Sequence, residues 1–281
     1  MKYIKALFIY IISVIVQVSF LIFFYIATPS VFPEDFVLWI FLNATFFALG
    51  TIIGAVVLGY FLTPLFLFSH KRIMGKNKSY GIQEHPKPQK FDIFQSLFPV
   101  LLSLNLSIML LSNEIILRFV TGRKFDLSSL DLTTFNELML IFAFFTLITV
   151  VVSFASFSPA WFLLDAGVVY SNKEIENRKG RPGECRTVGG WYIDLLKGYA
   201  GIGVILSYVQ LYMLFMTVGA SVLAIILVLI YYSLIPIFMV GGSVIALIIL
   251  DTLREHRVKY IRKWTEKLGI TDKVEIVFKG S

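Results

Sequence analysis

The sequence is poor in charge. Aspartate, glutamate, lysine and arginine make up 15% of its 281 residues, whereas soluble domains carry about 25% of these residues. Hydrophobic residues make up 57% of the chain. A chain of this composition has too few polar side chains to cover a surface in water. This excludes an ordinary soluble domain and predicts a protein that lies largely in lipid.

Residues that commonly carry chemistry are also scarce. The single cysteine, Cys185, excludes an intramolecular disulfide. The three histidines, His70, His85 and His256, lack the spacing of metal ligands. The chain has no HExxH, Walker A or GxSxG motif. We therefore predict neither a metal nor a cofactor, and the sequence favours a protein that is not an enzyme.

Long apolar runs are the main feature that the sequence does have. The first, LFIYIISVIVQVSFLIFFYI, does not alternate apolar and polar residues, so it predicts a helix rather than a strand of a barrel. It is too long for the apolar part of a typical signal peptide, which predicts a retained span. Six runs are long enough to cross about 30 Å of hydrocarbon. They lie at about 6–27, 36–68, 94–120, 138–164, 198–217 and 221–250.

The distribution of basic residues predicts the orientation of these spans. With the N-terminus inside, all but three of the 25 lysines and arginines fall on the inner side, and the exceptions are Arg118, Arg123 and Lys124. Loops rich in lysine and arginine stay in the cytoplasm, and six spans place both termini on one side. The predicted fold is an all-α integral membrane protein of the plasma membrane, with six transmembrane helices and both termini cytoplasmic.

Two cytoplasmic loops and a tail complete the predicted organisation. The six-helix domain covers 1–250 and has polar loops at 69–92 and 165–197, while 251–281 forms a cytoplasmic helix and tail. In the second loop, AGVVYSNK and ECRTVGGWY can pair as a hairpin. The C-terminal KVEIVFKGS predicts either a short strand or a tail that binds a partner. The cytoplasmic layer is therefore expected to be small and basic.

The stretch TVGGW shares three letters with the potassium-channel filter TVGYG. It follows NRKGRPGECR, which is too charged for a pore helix, and Gly190 stands where the filter has tyrosine. We therefore predict a glycine-rich turn on the cytoplasmic side. Trp191 and Tyr192 would lie at the membrane interface where the chain enters the next span.

Polar residues inside the predicted spans are the main functional candidates. One set on the third and fourth spans could line a path for ions or small polar solutes. It comprises Asn105, Ser112, Glu114, Thr149, Ser153 and Ser156. The alternative is that Asn105 hydrogen-bonds a neighbouring helix and that the small hydroxyl residues mark close helix packing. In that case Glu114 would pair with Arg118 one turn later.

Prolines and glycines within the spans are candidate hinges. Thr63-Pro64 and Ser158-Pro159 each place a hydroxyl residue before proline near the inner end of a helix. The match could mark a duplicated helical hairpin, as in transporters. Alternatively, each hydroxyl satisfies a carbonyl that its proline frees. The hinge candidates are Gly59, Pro64, Pro159 and Pro236.

Asp165, in WFLLDAG, ends the fourth span at the inner interface. We expect this carboxylate to anchor a nearby arginine or lysine. The alternative is that it binds a cation together with carbonyls freed near Pro159.

The C-terminal segment DTLREHRVKYIRKWTEKLG carries a dense basic cluster. Its apolar residues recur at helical spacing and Gly269 is a natural C-cap, which predicts a basic amphipathic helix. This helix would either lie on the membrane surface or extend the last span, and the sequence leaves both open. The candidates to bind anionic lipid or a partner are Arg181, Arg254, Arg257, Lys259, Arg262, Lys263 and Trp264.

These observations favour a channel or transporter-like protein that passes ions or small polar solutes. The alternative is a scaffold or assembly subunit that transports nothing and uses its basic face to bind a partner or anionic lipid. A third option is a lipid-modifying enzyme with an interfacial site in 165–197. The expected partners are anionic membrane lipids and, as an option, further copies of the chain. No feature of the sequence points to nucleic acid.

Overall fold

The computed structural model describes residues 36–75, 78–86, 93–122, 132–172, 179–180, 184–217 and 239–276, with isolated positions elsewhere. Its helices are α1 (Phe36–Ile52), a π-helical segment (Ile53–Leu58), α2 (Gly59–Met74), a 3-10 helix (Ile93–Ser96), α3 (Leu97–Leu111), α4 (Glu114–Thr121), α5 (Leu132–Asp165), α6 (Val188–Thr217), α7 (Val244–Thr252) and α8 (Arg254–Lys267). Its strands are β1 (Ser79–Gln83), β2 (Val168–Ser171), β3 (Lys179–Gly180), β4 (Cys185–Thr187) and β5 (Lys273–Ile276).

The described part of the chain is mostly helical and contains candidate membrane helices, as the composition predicts. Three stretches are long and apolar enough to cross a membrane, namely Leu42–Met74, Leu140–Asp165 and Val188–Met213. The pair α3 and α4 makes a fourth candidate if the two helices form one span. A shorter apolar helix covers Met239–Thr252.

Other predicted spans fall largely outside the described residues. These are the first span, at 6–27, and most of the sixth, at 221–250. The hinge candidate Pro236 and the residues between the fifth and sixth predicted spans, 218–220, also lie outside the described residues.

The chain divides into two compact units. The first, called the helical unit, comprises Met1–Ile52, Asp92–Ser153 and Tyr199–Ile248. The second, called the mixed unit, comprises Ile53–Phe91, Phe154–Gly198 and Ile249–Ser281 and holds all five described strands. The long helices α5 and α6 contribute residues to both units.

The third predicted span is not one continuous helix. α3 and α4 meet at an angle of 76° across Ser112 and Asn113. Asn113 has an extended backbone, and its side-chain oxygen accepts hydrogen bonds from the N–H groups of Ile115 and Ile116. This capping starts a new helix in a new direction. The described residues of the predicted span at 94–120 therefore form two helices with a bend between them, and the span itself stays a prediction.

α6 begins ten residues earlier than predicted, at Val188 rather than at about 198. Thr187 caps its start, because Thr187 Oγ1 accepts a hydrogen bond from the Gly190 N–H at 3.1 Å. Gly189 lies so close to α5 that a Cβ there would meet the backbone of Ala160 and Leu164. The TVGGW stretch is therefore a capped helix start packed against another helix, and the prediction of a glycine-rich turn is wrong.

A five-stranded sheet in the order β3-β5-β1-β2-β4 belongs to the mixed unit. β2 pairs with β4 in an antiparallel register that places Val169 opposite Thr187, which confirms the predicted hairpin. β5 runs parallel to both β1 and β3, so the predicted C-terminal strand is confirmed as well. The sheet corrects the prediction of an all-α protein. That prediction failed because the strands are short and pair across long separations in sequence.

We expect Gly81→Ala to destabilise the mixed unit by about 1–3 kcal/mol, the usual cost of overpacking a filled site. A Cβ at Gly81 would lie 2.5 Å from Val274 Cγ2 and 3.0 Å from the Asp272 carbonyl oxygen. Thermal unfolding of the purified protein in detergent measures the effect. The matched control is Gly198→Ala, because a Cβ there meets nothing within 4 Å. Equal midpoints for both variants would contradict the prediction.

Candidate functional site

Asn105 joins two helices inside the helical unit. Its side-chain oxygen accepts a hydrogen bond from Ser207 Oγ at 2.6 Å, and its Nδ2 donates to the Ala200 carbonyl at 3.4 Å. Gly203 makes room for it, since a Cβ there would lie 3.0 Å from Asn105 Nδ2. An amide in a low-dielectric core requires such partners. The structure therefore shows the alternative in which Asn105 hydrogen-bonds a neighbouring helix, and a role for Asn105 in a pathway stays a prediction.

A second polar contact joins α3 to α5. Thr149 Oγ1 lies 3.1 Å from Ser103 Oγ and 2.6 Å from Ser107 Oγ. It also donates to the Thr146 carbonyl at 3.3 Å. All three hydroxyl side chains of the contact are buried. Together with Asn105 and Ser207 they form what we call the polar contact of the helical unit.

The remaining pathway candidates do not join this contact in the described hydrogen bonds. Ser112 and Glu114 are exposed at the bend between α3 and α4, and Ser112 Oγ donates to the Ile108 carbonyl of its own helix. Ser153 is buried and Ser156 half-buried, both on α5.

Ser207 is a residue of the polar contact that the sequence analysis did not predict. The sequence feature that indicates it is the row of small residues Ala200, Gly203 and Ser207 along one face of α6.

The hinge candidates in the described chain lie in closely packed, continuous helices. Pro64 is inside α2 and Pro159 inside α5. Thr63 Oγ1 donates to the Gly59 carbonyl at 2.6 Å. A Cβ at Gly59 would lie 2.9 Å from Ser158 Cβ, so Gly59 permits close packing of α2 and α5. The role of these residues in motion stays a prediction.

A buried ion pair is the strongest electrostatic contact of the mixed unit. Arg257 Nη2 donates to Asp165 Oδ2 at 2.6 Å, and both side chains are fully buried. Arg254 Nε lies 3.6 Å from Asp165 Oδ1, and the Arg257 guanidinium stacks over the Phe162 ring at 4.5 Å. The expectation that Asp165 anchors a basic residue is confirmed.

Burial lowers the pKa of Arg257, while the Asp165 carboxylate acts in the opposite direction. An arginine remains charged in proteins even so. Because its guanidinium is buried inside the mixed unit, Arg257 is not available to a lipid headgroup, contrary to the prediction for this residue. The other candidates for lipid binding on α8 keep part or all of their surface exposed.

An aromatic cluster surrounds His70, near the end of α2. The His70 ring lies 4.8 to 5.9 Å, centroid to centroid, from the rings of Tyr80, Tyr170, Trp191 and Tyr192. His70 Nδ1 is 2.9 Å from Tyr80 Oη. Burial raises the pKa of Tyr80 to about 12, with neighbouring tyrosines adding to the effect, so this hydroxyl keeps its proton. The cluster ties α2, β1, β2 and α6 together.

α8 has one face inside the protein and one face outside. Arg257, Ile261 and Thr265 are buried and follow each other at four-residue spacing. Lys259, Lys263 and Lys267 repeat the same spacing on the exposed side. We call these three residues the lysine row.

Two other candidates for lipid binding differ in what the structure shows. Trp264 is half-buried beside the lysine row, and Lys267 Nζ lies 4.4 Å from the centroid of the Trp264 ring. Arg181 lies outside the described residues.

Groups suited to metal binding are not assembled in the part of the chain that the structure describes. No group of three His, Cys, Asp or Glu side chains there could hold a metal ion. Cys185 is buried, and burial together with Glu184 raises the pKa of its thiol. A thiol of raised pKa is a poor nucleophile.

We expect Asp165→Asn to lower the free energy of unfolding by about 3–5 kcal/mol, because it leaves the Arg257 charge buried without its partner. Denaturant unfolding in detergent provides the measurement. The control is Arg254→Gln, which removes a longer, partly exposed contact and should cost no more than about 1 kcal/mol.

A double variant tests the cause of that loss. Asp165→Leu combined with Arg257→Leu removes both charges and should lose less stability than Asp165→Asn alone. Asp165→Leu and Arg257→Leu are also measured singly, and a double variant whose loss of stability equals the sum of these two single losses would contradict a role for the pairing of the charges.

The comparison with known proteins gives no relative from which a function could be transferred. No protein-family model, no curated protein and no solved structure matches this chain.

Proposed function

We propose that the protein is an integral membrane scaffold that transports no solute and uses a basic helix to bind anionic lipid headgroups. The observation that carries the proposal is the polar contact of the helical unit. Asn105, which the sequence nominates for a pathway, is buried and bonded to Ser207 and Ala200. Thr149 is bonded to two serines in the same way. Polar groups used in this manner hold helices together where lipid gives no hydrophobic driving force.

The proposal includes six spans and the orientation with both termini in the cytoplasm of the cell. The positive-inside rule supports it, because the segments that contain β1, β4 and α8 carry most of the lysine and arginine. In this orientation the basic segments of the mixed unit lie at the cytoplasmic leaflet, whose anionic lipids attract basic surfaces.

The lysine row of α8 is the proposed binding surface. The opposite face of the helix is committed to the protein through Arg257, Ile261 and Thr265. The packing of that face fixes the rotation of α8 about its own axis, so the lysine row always points away from the protein interior. Each lysine near an anionic membrane surface contributes about 1 kcal/mol of attraction.

Transport is a second candidate, and two observations favour it. Leu42–Met74 contains a π-helical segment at Ile53–Leu58, and such segments are frequent at functional sites. The hydroxyls of Ser153 and Ser158 on α5 are buried and make no hydrogen bond to the described residues. Buried hydroxyl groups are normally hydrogen-bonded. A transported solute, or water that accompanies it, would supply the hydrogen-bond partner.

Ion flux into proteoliposomes under a diffusion potential separates the two functions. We expect the wild-type protein and Asn105→Leu to give no more flux than empty liposomes. Asn105→Leu should also lower stability by about 1 kcal/mol, because a helix-joining hydrogen bond is lost. Ser112→Ala is the control, since Ser112 bonds only its own helix in the described contacts and should change neither result. Flux that Asn105→Leu suppresses, with folding intact, would overturn the scaffold and establish transport.

Lipid retention tests the lysine row. We expect the full-length protein in detergent to bind phosphatidylglycerol in preference to phosphatidylcholine, as measured by native mass spectrometry. The triple variant Lys259→Gln, Lys263→Gln, Lys267→Gln should lose on the order of 100-fold in phosphatidylglycerol affinity, from about 1 kcal/mol per lysine.

The matched control removes charge of the other sign from the same helix. Glu255→Gln with Glu266→Gln should leave the preference intact or increase it, because both carboxylates are exposed on α8. Unchanged phosphatidylglycerol binding by the triple lysine variant would rule out the row as the lipid surface.

A further inference from the structure

The short helix α4 is complete at both ends. Asn113 Oδ1 caps its start through the Ile115 and Ile116 N–H groups, at 3.0 and 3.2 Å. Gly122 ends it in the left-handed conformation, with φ of 71°, and its N–H donates to the Arg118 carbonyl. Because these contacts satisfy backbone groups at both helix ends, α4 is an independent element and not a frayed extension of α3.

Leu117 and, to a smaller extent, Ile116 anchor α4 to the rest of the helical unit. Leu117 is buried and packs with Phe145 of α5, and partly buried side chains of α3 and α5 surround the pair. The angle of 76° between α3 and α4 directs α4 away from the axis of α3. The helix is therefore held in a fixed direction that does not continue the path of α3.

The outer face of α4 exposes large apolar groups. Phe119 is 89% exposed and Ile115 is 80% exposed, which makes them the two most exposed large hydrophobic residues in the described chain. They lie four residues apart, so they share one face of the helix. Glu114 and Arg118, also exposed, repeat the same spacing on the adjacent face. α4 is therefore amphipathic, with a charged edge beside an apolar one.

We propose that α4 lies flat at the membrane boundary, with Ile115 and Phe119 in the acyl chains and Arg118 at the phosphate level of the headgroups. Short amphipathic helices bury their apolar face at this depth, and an arginine beside it reaches the headgroups. The occupant of this face is lipid rather than a second copy, because two side chains offer far less than the roughly 800 Å² per partner of a stable interface. This inference does not depend on the scaffold proposal.

Spin labels on α4 in proteoliposomes test the inference. The chain has one cysteine, so Cys185→Ala provides a background for Phe119→Cys and, as the control on the adjacent face, Arg118→Cys. If Cys185→Ala does not fold, the native chain serves as background, because Cys185 is buried. Val152→Cys, at an exposed apolar position on α5, gives the reference for a lipid-facing label.

Collision with oxygen, which partitions into lipid, and with a water-soluble nickel complex measures the depth of each label. We expect the label at 119 to favour oxygen as the label at 152 does, with several-fold less nickel contact than the label at 118. Equally high nickel contact at 118 and 119 would place α4 in water, and equally low nickel contact with high oxygen contact would place both faces in the acyl chains. Either result would overturn the proposal. Exclusion of both reagents with spin–spin broadening at 119 would place a second copy there and overturn it as well.

Discussion

The mixed unit depends on the buried pair of Asp165 and Arg257. Each charge would cost several kcal/mol to bury alone, so the two groups are stable inside the protein only when they meet. Asp165 is the last residue of α5, and Arg257 begins the buried face of α8 that continues through Ile261 and Thr265. The pair therefore fixes both the position and the rotation of α8. A short connection after α8 then delivers β5 to the interior of the sheet, where it contacts Gly81.

The same requirement, that a polar group in an apolar medium must find a partner, organises the helical unit. Asn105 and Thr149 each accept or share hydrogen bonds with residues of a neighbouring helix. Gly203 allows α6 to approach the Asn105 side chain. Small residues and hydroxyls therefore act together, the first by permitting contact and the second by joining helices once contact is made. Because these polar residues join helices, we favour a scaffold over a channel or transporter.

Sequence reasoning succeeded where the signal is local and failed where it is not. The pairing of Asp165 with a basic residue was predictable because the carboxylate stands at the end of a helix. The pairing of β2 with β4 was predictable because the two segments lie close together in the sequence. The sheet as a whole did not follow, because β5 pairs with β1 across most of the chain and each strand is too short to show a period. Ser112 was predicted to line a polar path, although it is the last residue of the turn that ends α3, and the sequence analysis overlooked Asn113, which caps the start of α4.

The sequence by itself determined that the protein has apolar helices suited to a membrane and a basic C-terminal helix, because composition and helical period are properties of single segments. Only the tertiary structure decided which charges are buried and which face outward. Arg257 and Lys259 are two residues apart and look alike in sequence, yet one pairs with Asp165 and the other is exposed. The difference arises because burial depends on which face of α8 meets α2 and α5, and that contact exists only once distant segments have packed together.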